Sequence, residues 1–460
     1  MSKLSWYWHR LRAMTPSEVA AHARRKWCQR ADARIKRDWA AAPLPCSGRF
    51  PKLPPPEQAS EPLRSALKQA SAEILARHWR AFGGLDLQVD DPPLWQADYL
   101  AGQNLATTQS AFKLNHRALP AGTDVKLIWE LSRWYSLARL AQAAYVLNDA
   151  PAARKCLEWL EHWAGHNPPY YGWNWTSALE AGMRLIQLTW IDALLGAAVE
   201  NQRYAAAWER LRFQLLPAHY WFTWRNRSFG SSANNHLLGE LAGLILAGVR
   251  WPGLARWGPS LERLHALWET EVLAQFAEDG GNREQALNYQ LFSWEFCWQT
   301  KLALESAERQ VSPPVRMRLL AAAKFFVEVQ MDEPWDYGDS DSAYVTPLFC
   351  AQSTAVREWR NWLSGSAASP GLDYWLGAMG SAECGMEERM EERGWRMADR
   401  GVHQPSTINH QPSAINFANA PTRRRLKSVP GLGWRRVDGA PWRGRRGAGS
   451  GARGALRGRP

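Results

Sequence analysis

Residues 124–169 read DVKLIWELSRWYSLARLAQAAYVLNDAPAARKCLEWLEHWAGHNPP. Apolar residues recur at helical spacing over 124–147 and again over 151–165, with only Asn148-Asp149 between the two runs. Long helices joined by so short a break pack antiparallel, as a hairpin. The same pattern continues over 175–197, 202–217, 233–249, 259–277, 286–308 and 314–331. Breakers separate these runs: His166-Asn167-Pro168-Pro169, Arg225 to Ser232, Trp251-Pro252-Gly253, Asp279-Gly280-Gly281 and Ser312-Pro313-Pro314. Eight or more successive, mostly buried helices predict an all-α fold, an incomplete (α/α) toroid of antiparallel helical hairpins. No strict internal repeat supports a solenoid.

Outside this run the character changes. Residues 1–40 have a helical pattern, and 41–62 (AAPLPCSGRFPKLPPPEQASEP) are rich in proline, as in a linker or an extended wrap. Residues 63–120 mix a helix with irregular chain. The expected organisation is a basic N-terminal helix and linker (1–62), a toroid domain (63–345), a short helical or irregular start of a second domain (346–394) and a low-complexity tail (395–460). In that tail HQPSTIN at 403–409 recurs as HQPSAIN at 410–416, and a run of Arg and Gly extends from Arg423 to Pro460. An RGG-like nucleic-acid tail is one reading. The preferred one is GC-rich DNA read out of phase, which yields Arg, Gly, Ala and Pro. By either reading no packed domain follows, and the tail is expected to be disordered.

The net charge of +12 belongs mainly to this tail, where residues 401–460 hold 12 Lys/Arg and a single acid, Asp438. The first 400 residues carry 44 basic and 43 acidic side chains, so the body is balanced and no nucleic-acid partner is expected. Six scattered cysteines, with no CxxC pair and no His at zinc spacing, read as buried thiols. The 28 tryptophans serve either as large core filler or as flat platforms for sugar rings. The start, MSKLSWYWHRLRAMTPSEVAAHARRKW, lacks an apolar signal core, and no run is long enough to span a bilayer. A cytoplasmic location is therefore expected.

Four segments place polar groups at fixed spacing within apolar helices: DVKLIWELSRW (124–134), NPPYYGWNWTSALEAGMR (167–184), SSANNHLLGELAGL (231–244) and EDGGNREQALNYQLF (278–292). Each also has a plain structural reading. Glu180 with Arg184 is an i,i+4 ion pair. Asn234 or Ser232 would cap a helix. Asp279-Gly280-Gly281 would be a turn, and Tyr289 would be core.

Taken together, the order WExxR, NPPxxGxNWxxxxExxxR, NNHLxxExxGL and EDGGxxEQxxxYxxF resembles the heparinase II/III and related alginate lyase superfamily. The likeness runs from about residue 5 to 345 and takes in GDSDS at 338–342. It implies cleavage of a uronic-acid-containing acidic polysaccharide by β-elimination, without a cofactor. Removing the C5 proton beside the uronate carboxylate builds an enolate-like dianion, which uncharged or cationic donors bind more tightly than the ground state. By the resemblance Asn235 is the carboxylate clamp, His236 its partner or proton acceptor, and Tyr289 the base and the acid that serves the departing O4. Arg184 or Arg283 would lower the tyrosine's pKa. Trp173, Asn174, Trp175, Glu180, Arg184 and Glu284 are candidates for lining the sugar cleft, with the two tryptophans stacking on a pyranose ring.

Relatives continue into an antiparallel β-sandwich that supplies a further His or Tyr; here that strand-rich stretch is missing after about residue 395. His403 and His410 match no family position. Asp339 and Asp341 are expected in a turn at the domain junction, and no metal is expected. A glycoside hydrolase on a similar toroid would need two facing carboxylates, from Glu180, Glu284 or Asp279. A non-catalytic glycan-binding domain is the other alternative. Many members of this superfamily are exported, which makes the periplasm the alternative location.

Overall fold

The computed structural model describes residues 12, 15–32, 39, 44–116, 118–198, 202–230, 233–329, 338, 340–350 and 355–380. The low-complexity tail with His403 and His410 lies outside these residues, as does Asp339.

Helices α1 (Pro16–Asp32) and α2 (Glu61–Leu75) come first. Two short antiparallel hairpins follow, β1 (His78–Ala81) with β2 (Leu85–Gln88) and β3 (Ala97–Asp98) with β4 (Gln103–Asn104). The bundle consists of α3 (Val125–Leu131), α4 (Tyr135–Leu147), α5 (Ala150–His166), α6 (Ala178–Ala198), α7 (Gln202–Asn226), α8 (Asn235–Arg250), α9 (Leu261–Gln275), α10 (Leu287–Ser306) and α11 (Pro313–Glu328). Helices α12 (Ala355–Leu363) and α13 (Pro370–Gly380) end the described chain.

Successive helices form hairpins, α4 with α5, α6 with α7, α8 with α9 and α10 with α11. The first members pack on one another in the order α4, α6, α8, α10 and make an inner layer; the second members return outside it. Side-chain chemistry explains the layering. Helix α10 buries residues on every face, including Asn288, Gln290, Glu295, Gln299 and Thr300. Outer helix α5 instead buries one stripe, Ala152, Cys156, Leu157, Trp159, Leu160 and Trp163. Trp134, Trp159, Trp163, Trp175, Trp190, Trp251 and Trp268 are among the largest fully buried side chains, so the core claims these tryptophans. Helices α6 and α8 approach backbone to backbone: a Cβ on Gly243 would stand 2.4 Å from the carbonyl oxygen of Gly182.

The structure departs from the sequence reading in two places. The run 124–147 is two helices, because Trp134 adopts a left-handed backbone (φ 65°) that turns its ring into the core. The run expected to stop at 217 continues through the buried Pro217 to Asn226. The segment after GDSDS packs inside the fold. Ala343 and Asn288 exchange two hydrogen bonds of 3.0 Å, and Glu295 accepts from the backbone N–H groups of Val345 and Thr346, each at 3.0 Å. Gln142 donates to the Pro347 carbonyl at 2.8 Å. Residues 343–349 are buried, so this strap is part of the core between the inner helices. Among the described residues no helix is long and apolar enough to cross a membrane.

Candidate functional site

Each inner helix is followed by an antiparallel outer one, so the four inner helices run in the same direction. Their N-termini, preceded by Arg133-Trp134, Thr176-Ser177, Ala233-Asn234 and Gln285-Ala286, therefore lie at one end of the bundle. The first of the four polar segments ends at one of these N-termini, and each of the other three spans one. Chain topology alone gathers them into one mouth.

Hydrogen bonds and ion pairs, with one electrostatic link between Glu180 and His236, join the segments in a ring. Arg133 grips Glu180 through two hydrogen bonds of 2.8 Å and also reaches Glu130 at 3.2 Å. Burial works against a charge on Glu180, but Arg133 outweighs it and holds the carboxyl below its ordinary pKa. Glu180 and His236 interact electrostatically, which joins the second segment to the third. Glu284 then accepts three hydrogen bonds, from Asn234 Nδ2 (3.0 Å), Asn235 N (2.9 Å) and Asn235 Nδ2 (2.9 Å). Burial raises the Glu284 pKa, with those bonds opposing it. Finally the Tyr289 hydroxyl donates to Asp341 Oδ2 at 3.0 Å, and Asp341 Oδ1 pairs with Lys126 Nζ at 2.6 Å. That pair returns the ring to the first segment.

His236 is the second residue of α8, and its backbone N–H is capped by the Asn234 side chain at 3.2 Å. Its side chain is solvent-exposed, yet surrounding protein pushes its pKa below the ordinary histidine value. Glu180 opposes that shift, whereas Arg133 and Arg25 add to it. Tyr289 is half-buried and Asn235 buried, on neighbouring inner helices.

Other expected site residues are placed elsewhere. Trp173 and Trp175 are 8% and 1% exposed; their indole N–H groups donate to the carbonyls of Leu105 and Asn167. Neither ring is open to stack on a sugar. Asn174 is fully buried and donates to Asn167 Oδ1 and the Trp95 carbonyl. Arg184 does not form the i,i+4 pair with Glu180 that the spacing invites. It is fully buried, donates to His219 Nε2 (2.8 Å) and the Asn174 carbonyl (2.7 Å), and lies near the rings of Trp134, Trp163 and Trp175. Burial and Arg184 push the His219 pKa well down, so this histidine is a neutral acceptor. Trp173, Asn174, Trp175 and Arg184 are thus core groups that shape the mouth from behind. Glu180 is also buried and committed to Arg133.

Lys126 and the pairing role of Asp341 were not legible in the sequence. A lone lysine on an amphipathic helix looks solvated, and its partner is 215 residues away. A cavity of about 210 Å³ among Ala153, Leu157, Leu195, Ala205, Trp208 and Arg212 lies at the opposite end of the inner helices, away from every one of these groups.

The helical architecture is similar to that of solved polysaccharide lyases. A heparinase III structure is 14% identical with a TM-score of 0.43, the match covering 78% of this chain and 49% of that one. For a heparan sulfate lyase, HepC, from Pedobacter heparinus the values are 15%, 0.41, 72% and 45%. For an alginate lyase from Bacteroides ovatus they are 12%, 0.41, 75% and 93%. The chain thus spans a little under half the length of these heparinases and most of the alginate lyase. No protein-family model matches the chain, and no curated protein sequence matches it.

Proposed function

We propose that the mouth at the inner-helix N-termini cleaves a uronic-acid-containing acidic polysaccharide by β-elimination. The observation that carries this reading is the closed ring from Arg133–Glu180 through His236 and Asn235–Glu284 to Tyr289–Asp341–Lys126. It brings an amide, an imidazole and a phenol from distant segments to one end of the bundle.

The assigned roles follow from chemistry. Four helix N-termini converge there, and their partial positive charge favours an anionic substrate. Glu284 fixes the Asn235 amide, leaving the second amide N–H to meet the uronate carboxylate. His236, with its pKa held down, is neutral near pH 7 and can donate a hydrogen bond to that carboxylate or accept the C5 proton. Tyr289 already donates to Asp341. As its oxygen takes the C5 proton, its own proton passes to that carboxylate; the same phenol then protonates O4 as the C4–O bond breaks. Hydrolysis is disfavoured, because Glu180 is buried against Arg133 and Glu284 holds the two asparagines. No pair of open carboxylates faces one bond among Glu180, Glu284 and Asp279.

The test is ultraviolet absorbance of the conjugated C4=C5 product on heparan sulfate, alginate and hyaluronan. Tyr289→Phe should lower its rate of appearance by about 100- to 10,000-fold with the fold retained. Substantial residual activity in that variant would remove the role of Tyr289. Glycan binding with no chromophore from the unmodified chain would favour a non-catalytic domain.

A further inference from the structure

Beside the mouth is a group of arginines that the elimination chemistry does not use. Arg25 of α1 donates to the carbonyls of Asn226 and Arg227, the latter at 3.1 Å, and lies over the Phe229 ring with its guanidinium carbon 5.2 Å from the centroid. Arg227 and Arg263 both sit over the Trp224 ring, at 3.7 and 5.3 Å. Arg227 also donates to the Trp224 carbonyl at 2.8 Å. Arg24, Arg25 and Arg263 are all within electrostatic reach of Arg227. Arg24 and Arg263 are exposed, while Arg25 and Arg227 are half-buried.

Three sequence-distant places, α1, the residue after α7 and the start of α9, thus bring Arg24, Arg25 and Arg263 within electrostatic reach of Arg227. Glu240 is an acid within electrostatic reach of both Arg25 and Arg227. It is fully buried and takes two hydrogen bonds from Ser228. Burial raises its pKa to about 8, so near neutral pH it offsets little of the positive charge. Aromatic faces orient the guanidinium forks, and such forks match carboxylate and sulfate groups. The patch adjoins the mouth: Glu240 is one turn beyond His236 on α8, and Arg25 acts electrostatically on His236.

We infer that Arg24, Arg25, Arg227 and Arg263 form a subsite for the carboxylate or sulfate groups of an acidic oligosaccharide running outward from His236. The direction of the chain rests on the lyase reading; the binding itself does not. Calorimetric titration of the full chain with heparin and alginate octasaccharides, and with the matching disaccharides, tests it. The exposed double substitution Arg24→Glu/Arg263→Glu should weaken the better octasaccharide by about 10- to 100-fold and reduce the salt dependence of its binding. Disaccharide affinity should not change. Tyr289→Phe should bind the octasaccharide as the unmodified chain does, so loss of elimination and loss of the subsite are read separately. Equal octasaccharide affinity in the double variant would overturn the subsite. So would failure of both octasaccharides to bind the unmodified chain, or tighter binding of a DNA duplex of equal charge.

Discussion

At the scale of single residues, partner choice separates the candidate chemistry from the scaffold. Asn235 and Asn174 are both buried amides, but Asn235 is tied to a carboxylate at the mouth and Asn174 to backbone and Asn167 within the core. If Asn235 binds charge that develops during elimination, Asn235→Ala should lower kcat by about 100- to 1000-fold and change KM little. An unchanged kcat would end the clamp role. The four motifs were legible because each sets polar groups at fixed offsets in an apolar helix. Which of those groups remain available was not, since Arg133 could have faced solvent and Arg184 could have paired with Glu180.

At the scale of elements, the inner layer depends on close backbone approach. The two glycines of GELAG, Gly239 and Gly243, face α6, and the carbonyl of Gly182 leaves no room for a methyl group on Gly243. Gly243→Ala should destabilise the fold by about 1–3 kcal/mol, because the obstacle is backbone and cannot rotate away. Gly248 on the same helix meets Tyr220 at ordinary contact distance, 3.5 Å. Gly248→Ala should therefore be neutral or stabilising by up to about 1 kcal/mol through helix propensity. Chemical denaturation of the two variants checks the contrast; equal effects would place the α6–α8 approach elsewhere.

For the whole molecule, the inner layer buries carboxyl groups as well as apolar ones, and this couples stability to pH. Glu240 is raised to about 8 and Glu295 to about 7, both by burial, with hydrogen bonds opposing. A raised carboxyl stabilises the fold fully below its unfolded pKa, near 4.5, and loses that contribution as pH rises through its folded value. Buried His219 has a lowered pKa and acts in the opposite sense below about 6.5, so a difference measurement is needed. Glu240→Gln mimics the protonated acid and can keep both contacts with Ser228. Its stability relative to the unmodified chain should rise from about pH 4.5 to 8, by at most about 1.4 kcal/mol per pH unit, and level off above that. A pH-independent difference would show that Glu240 is ionised throughout.

The order of amino acids by itself determined the helical hairpins and their succession, because period and breakers are local properties of the chain. By placing the four polar segments at the starts of alternate helices, it also determined that they would meet at one end. Only the tertiary structure decided what each polar group does there. It enclosed Trp173, Asn174, Trp175 and Arg184, set Glu180 against Arg133, and drew Asp341 between Tyr289 and Lys126. It also set Arg25 beside Arg227 from 202 residues away. Burial and pairing depend on which distant segments share a volume, and no local pattern contains that information.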